Sequence, residues 1–443
     1  MKLNEKKFYE LAKANNFEAA DLTSRESSSL SVSVFHGQVD SVSNESSFVQ
    51  IARGIFNGKM GSVSTEKIDK NTPDFLVNSI KRAASIVENN DPVVIFKGSE
   101  KYHKKNIYNE AVFAKNINDK IEILLEIEKK LKAFDKRINE VVSVSYGESF
   151  TYVKKSNSYG LKLSQKTSVY NYFAEISAKD GDEIRTGYKV FVSFDPEEFN
   201  VDEFVEKVAK NALDKLGSVQ CKSGKYPVVF NPETSSILLS YLIGSLSAED
   251  VQKHTSLLEG KLGQQVFNKK LTIVEDPLKK TLFFRYFDDE GVATNKKYLI
   301  NKGVVSTYLH TLQTAAKAKE APTGNGYGVG SKANADVAFT YVKPGRKSEE
   351  ELFGEIKEGV YITELSGLHS GMNASSGNFS LQCAGFMIRD GKRAEPLALI
   401  TVADNLINVF KNIKAIGNNS EIIENSSMLC PSISIKKVTI SGK

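Results

Sequence analysis

Apolar residues Phe8, Leu11 and Ala12 recur at helical spacing through 5–15, where Asn15-Asn16 interrupts them, and predict a first helix. The stretches 29–35, 38–44, 48–56 and 59–65 then alternate apolar with small polar residues, with Gly37, Asn57 and Gly58 between them. That period of two predicts a meander of four antiparallel strands. Phe75, Leu76, Ile80, Ala83, Ala84 and Val87 fall on one stripe of 74–88, a helix able to cover the sheet. The first α+β unit therefore occupies 1–90. The next stretch, 91–116, has no sustained period and is expected to be a linker.

A second α+β unit is predicted over 117–218. Its first helix, 118–134, turns Ile121, Leu124, Leu125, Ile127 and Leu131 inward and Glu/Lys pairs outward. Four strands are expected at 140–146, 150–156, 160–176 and 182–194. A helix over 200–216 closes the unit, with Phe204, Val205, Val208, Ala209, Ala212 and Leu213 on one face and Gly217 past its end. From Tyr226 the pattern becomes β-rich, with strands expected at 271–274, 298–300, 304–309, 360–365, 379–388 and 432–440. Hairpin-like turns fall at Asp289-Glu290-Gly291, Asn301-Lys302-Gly303 and Arg389-Asp390-Gly391. The fold class is α+β: N-terminal units of antiparallel sheet covered by helices, then an antiparallel, partly closed, barrel-like domain over 225–443.

Composition narrows the class of function. Forty per cent apolar and 26% charged residues are ordinary for a globular chain. The first ten residues hold no apolar core of the kind a signal peptide needs. The longest nearly uncharged run, 236–246, is about half a membrane span and predicts a buried helix. Cys221, Cys383 and Cys430 are odd in number and far apart, as expected in a reducing compartment, so the cytoplasm is the expected location. A net charge of +5 is interleaved with acidic residues and forms no stripe for a phosphate backbone, so neither nucleic acid nor membrane is an expected partner.

The order of short motifs carries the function. Val228-Val-Phe-Asn-Pro leads into the apolar helix Ile237-Leu-Leu-Ser-Tyr-Leu-Ile-Gly-Ser, then His254-Thr-Ser-Leu-Leu-Glu-Gly, Leu271-Thr-Ile-Val-Glu-Asp-Pro and Phe287-Asp-Asp-Glu-Gly-Val. Thr363-Glu-Leu-Ser-Gly, Ser376-Gly-Asn-Phe-Ser, Ile400-Thr-Val-Ala-Asp-Asn and Ile416-Gly-Asn-Asn follow, and Gly37-Gln-Val-Asp-Ser-Val and Gly54-Ile-Phe-Asn-Gly-Lys-Met-Gly-Ser precede them. Over essentially the whole chain this order resembles the TldD/PmbA family, and within it the PmbA (TldE) branch. The resemblance implies that an active TldD-type member binds zinc through an HExxxH helix and a later cysteine. The positions matching that helix motif here are Ser240, Tyr241 and Ser245. Hydroxyls cannot replace imidazole ligands, nor tyrosine a carboxylate base near neutral pH.

Cys430 falls where the family's ligand cysteine lies and is expected to be a vestigial ligand position. The resemblance then implies no catalytic residue, metal or cofactor in this chain and zinc in a TldD-type partner subunit. The pair would be a heteromeric metalloprotease trimming unfolded, flexible peptides, this chain being inactive alone. A homodimer in isolation is compatible with such pairing. The alternative is a stand-alone peptide- or protein-binding regulator, for example of DNA gyrase or a toxin–antitoxin system.

Other candidates have plainer readings. His254, His310, His369 and Cys430 lack ligand spacing and read as hydrogen-bonded surface or core residues. No GxSxG surrounds Ser240. The run 369–380, with Ser376, Gly377, Asn378 and Phe379, is read either as a wall of a peptide groove or as a surface loop. Thr323-Gly-Asn-Gly-Tyr-Gly-Val-Gly lacks the GK[ST] ending of a phosphate loop and reads as a flexible loop. Cys221 sits beside Lys222, which would lower its pKa, in what reads as a domain connector.

Overall fold

The computed structural model describes residues 2–88, 90–328, 330 and 332–443. Met1, Asn89, Val329 and Ser331 lie outside it, and with Val329 one residue of the glycine-rich run at 323–330.

The first helix, α1 (Glu5–Ala14), starts at Asn4, whose side chain accepts from the Lys7 N–H, and ends at the expected asparagines. Six strands follow in chain order: β1 (Ala19–Phe35), β2 (Gln38–Phe56), β3 (Lys59–Thr65), β4 (Ile138–Asn157), β5 (Lys162–Asp180) and β6 (Glu183–Ser193). They form one antiparallel sheet in the order β3-β2-β1-β4-β5-β6, so the two N-terminal segments of chain share a sheet. The helices α2 (Thr72–Ser85), α3 (Ile117–Phe134) and α4 (Val201–Leu213) pack on it. Phe8, Leu22, Leu76 and Ile80 make one core at its β1–β2 end, and Val32, Leu124, Tyr146, Tyr172 and Val208 make a second.

The sheet corrects two strand boundaries. The stretches 38–44 and 48–56 are one strand, because Asn44 to Ser47 stay paired with Leu30 to Ser27. Likewise 140–146 and 150–156 join through Gly147 and Ser149, opposite Asn171 and Val169. At 38–47 every residue of β2 is exposed, so no apolar alternation marks the strand. The stretch 91–116 holds no long element, yet it is packed down: Ile95 and Ile107 are buried, and the Tyr102 hydroxyl donates to the Gly291 carbonyl at 2.7 Å.

The C-terminal strands are β7 (Gly224–Phe230), β8 (Ile273–Glu275), β9 (Lys297–Asn301), β10 (Val304–Val305), β11 (Gly326–Tyr327), β12 (Asn334–Ala335) and β13 (Thr340–Val342). After them come β14 (Glu358–Ser366), β15 (Asn378–Arg389), β16 (Lys392–Asn405), β17 (Ile413–Ile416), β18 (Glu421–Ile423), β19 (Met428–Cys430) and β20 (Ile433–Ser441). The order β16-β15-β14-β7-β20 closes through pairing of β16 with β20, giving a five-stranded barrel with β17 beside β20. Closure removes the free edges of those strands. The expected 304–309 strand shrinks to β10. Both glycine hairpins at 301–303 and 389–391 are present, with Lys302 and Asp390 at positive φ beside their glycines. Among the described residues, no helix is long and apolar enough to cross a membrane.

Candidate functional site

The helix α5 (Pro232–Gly244) is built by its own ends. Asn231 accepts from the Thr234 N–H at 2.8 Å, and Pro232 supplies a first residue that needs no N–H partner. Leu238, Leu239 and Leu242 are essentially fully buried in the barrel core, and α5 packs against β14 and β19. Residues 240, 241, 244 and 245 stand one turn apart in pairs and therefore share the opposite face.

That face lines a pocket of about 440 Å³, bringing together Ser240, Tyr241 and Ser245 with Gly244. Asp250, on the short helix α6 (Ala248–Gln252), closes one side with Thr255 and Ser256. Ala374 and Ser375, from the loop before β15, complete it. The hydroxyl protons are largely committed. Ser240 donates to the Ser236 carbonyl at 2.8 Å, Ser245 to Tyr241 at 3.0 Å and Ser256 to Ser245 at 2.5 Å.

This donor set does not fit a zinc ion. Zinc needs imidazole, thiolate or carboxylate ligands converging on one point, and the pocket offers one carboxylate among neutral hydroxyls, which are weak zinc ligands. Among the described residues, no group of three His, Cys, Asp or Glu side chains stands close enough to hold a metal. Cys430 lies on β19, fully buried in the core that takes the apolar face of α5, and is absent from the pocket lining. Its thiol lies 3.6 Å from the Pro431 carbonyl, and burial pushes its pKa up, away from the thiolate a metal requires.

The other candidates are dispersed. His254 is exposed, with Nδ1 2.5 Å from a Glu259 carboxylate oxygen. His310 is buried 3.5 Å from Glu320, and burial lowers its pKa. His369 sits exposed on the one-turn helix Leu368–Gly371. Burial raises the Cys221 thiol, the reverse of the effect expected from Lys222.

Residues Ser376 to Asn378 form a tight loop. The Ser376 N–H donates to the Asn373 side chain at 2.9 Å, the Gly377 carbonyl accepts from the Leu406 N–H, and Asn405 Nδ2 donates to the Ser376 carbonyl. Phe379 is buried at the start of β15. The loop thus holds Ala374 and Ser375 at the pocket, while its own backbone groups are satisfied internally. In the glycine-rich run, Gly326 donates to Asp288 at 2.9 Å and Asn325 to Glu275 at 3.0 and 2.9 Å. Carboxylates there are unsuited to a phosphate.

Asp250, Thr255 and Ser256 were not marked as site residues by sequence reasoning. The sequence shows only Ser247-Ala-Glu-Asp250, a helix-capping pattern directly after α5 that marks the start of α6 and not a site.

Residues 223–442 match the PmbA/TldA metallopeptidase C-terminal domain and residues 111–216 its central domain. A Metalloprotease PmbA homolog of Buchnera aphidicola subsp. Baizongia pistaciae is 30% identical over 335 residues, covering 74% of this chain and 71% of that protein. Metalloprotease PmbA of Escherichia coli O157:H7 is 24% identical over 96% of this chain and 93% of its own. Among solved structures, a candidate modulator of a DNA gyrase from Thermotoga maritima superposes with a TM-score of 0.90 at 28% identity, covering 99% of each chain. TldE from Thermococcus kodakarensis gives 0.91 at 22%, covering 99% of this chain and 100% of that one.

Proposed function

The chain belongs to the PmbA/TldD metallopeptidase family, and from that premise we propose that it is the metal-less subunit of a two-subunit peptidase, paired with a zinc-bearing TldD-type chain. One observation carries the reading. The face of α5 that would present metal ligands is still assembled around a pocket, but it holds Ser240, Tyr241 and Ser245. Those groups can neither ligate zinc strongly nor deprotonate its water. The scaffold is kept where the chemistry is lost, which fits a partner that shapes or holds an extended peptide while the other subunit cleaves it. A reducing cytoplasm suits the three free, buried cysteines.

The test is co-expression with the TldD-type protein of the same genome. Copurification, with peptide hydrolysis that needs both chains and disappears when the partner's zinc motif is mutated, supports the reading. Equal hydrolysis by the partner alone sinks it. So does binding of DNA gyrase by this chain with no effect on peptide cleavage.

A further inference from the structure

The α5 pocket is not neutral in its chemistry, and its bias identifies what it can hold. Each serine or threonine hydroxyl has one proton to donate. Ser240, Ser245 and Ser256 spend theirs on backbone carbonyls, and Thr255 donates to the Asp250 carbonyl at 3.3 Å. What these four present to a guest is lone pairs. Tyr241 and Ser375 keep their protons at the pocket wall, so the bias is towards acceptors without being absolute.

Two further features have the same sign. The pocket lies at the C-terminal turn of α5, the negative end of a thirteen-residue helix, and that turn carries no basic residue to offset it. Asp250 lines the pocket, and among the described residues no lysine, arginine or histidine pairs with its carboxylate. Lys253 and Lys332 both bond Glu249, and His254 bonds Glu259, so Lys253 acts on Asp250 through space without bonding it. A carboxylate in the first turn of α6 is ordinary helix chemistry. Its position on a pocket of about 440 Å³, among spent hydroxyls, is what gives it a second use.

We propose that this pocket receives a cationic nitrogen donor of a peptide, set against Asp250, the acceptor hydroxyls and the C-terminal end of α5. The inference rests on the reading of this chain as the peptide-holding partner and specifies the substrate class of that site. An ammonium or guanidinium brings several N–H donors and a positive charge, the complement of all three features. An uncharged side chain would leave the Asp250 carboxylate with only the through-space charge of Lys253 and no direct ion pair.

The experiment measures binding of labelled, unstructured, otherwise neutral peptides to the purified full-length chain by fluorescence anisotropy at low salt. One peptide carries a central lysine and a blocked N-terminus, a second carries norleucine with a free N-terminus, and a third carries norleucine with the N-terminus blocked. At least one cationic peptide should bind about tenfold more tightly than the third, and which one does distinguishes a side-chain ammonium from an α-amino group. Asp250→Asn should abolish the difference between the cationic and neutral peptides.

A second variant guards against misfolding. A Cβ at Gly244 meets no atom within 4 Å, so Gly244→Lys delivers an ammonium from the helix itself and should also abolish the preference. A cation preference that survives both variants overturns the proposal, as does equal binding of all three peptides. Copurification with the TldD-type chain is measured in parallel. Intact pairing without a cation preference removes this inference alone, whereas failed pairing removes the subunit reading.

Discussion

Asp21, Arg53 and Lys155 meet on adjacent strands, where side chains directly opposite or diagonal share one sheet face. Arg53 donates two bonds to Asp21, at 3.0 and 2.5 Å, and Lys155 donates a third at 3.0 Å, with all three side chains buried. Removing Arg53 strips the buried Asp21 carboxylate of two of its three bonds and leaves it only Lys155, so Arg53→Met is expected to lose about 3–5 kcal/mol. A large drop in the thermal unfolding midpoint checks it. The turn Asp288-Asp289-Glu290 lies on the same cluster, within electrostatic reach of Arg53 and Lys155. Burial and the neighbouring Glu290 push Asp288 up to about 7, although backbone N–H groups of Glu290, Val292 and Gly326 donate to it. Between about pH 4 and 7 the folded chain therefore holds a proton that the unfolded chain has released. Stability from this group is complete below about pH 4 and falls as pH rises to 7, by up to about 1.4 kcal/mol per unit. Asp21 works in the opposite sense: its pKa is depressed by Arg53 and Lys155 against burial, and its contribution is lost as pH falls below the ordinary carboxylate range. Asp288→Asn should flatten the downward slope between pH 4 and 7 and leave the acid limb in place. Unchanged slopes in a pH series of chemical denaturation would refute the assignment.

At the scale of elements, the barrel depends on close backbone approach at particular glycines. A Cβ on Gly385 would come within 1.9 Å of the Tyr361 carbonyl oxygen, at the irregular step where β15 passes β14. Gly385→Ala should cost about 1–3 kcal/mol through forced strand separation. Gly37, in the β1–β2 turn at φ +76°, has open space around it. Its alanine variant pays only for left-handed backbone, about 1–2 kcal/mol. The two losses should differ in where they act, Gly385→Ala releasing hydrogen-exchange protection across β14 and β15 and Gly37→Ala only at the hairpin tip. The same contrast explains what was legible in the sequence. The helices α1 to α4 could be read because one stripe of each is buried, written as Phe8, Leu76, Leu124 or Val208, and α5 because it is an uncharged apolar run around Leu239. The long strands β5 and β6 could also be read, but the full lengths of β1, β2 and β4 could not. Serines at 27, 29, 31 and 33 alternate with Leu30, Val32 and Val34, but facing them Val39 and Val42 are exposed, so the partner strand shows no buried face until Gln50. The missed strand β16 holds Pro396 and alternates weakly, since two register shifts against β15 break its period. In the site, the α5 positions were found through resemblance. Asp250 was not, because its significance lies in what fails to pair with it, and unpaired charge is a property of three-dimensional neighbours.

For the whole molecule, the N-terminal sheet and the barrel domain are joined by a built contact. Phe284, Tyr286 and Phe287 pack with Ile107 and Leu163. The Tyr286 hydroxyl donates to the Ser164 carbonyl at 2.7 Å, Gln165 donates to the Phe284 carbonyl at 2.6 Å, and Ser99 accepts from the Ala293 N–H at 3.0 Å. The segment 91–116 is thus a strap held down between the sheet and the turn at 284–293. A partner subunit reading both surfaces would meet one preformed face, so assembly should need little ordering of this chain. Metal content then separates assembly from catalysis. Exposed to excess zinc and freed of unbound metal, this chain alone should retain a substoichiometric amount by plasma emission analysis, because neutral hydroxyls are weak zinc ligands, the pocket adds a single carboxylate and Cys430 is a buried thiol. The copurified complex should hold about one zinc per pair, lose it when the partner's HExxxH histidines are changed, and keep it when Ser240, Tyr241 and Ser245 are all replaced by alanine. Loss of zinc on that last change would place the metal on this chain's helix and overturn the division of labour. Retention of zinc with a raised KM and an unchanged kcat would locate the role of these residues in holding peptide, the interaction being equal in ground and transition states.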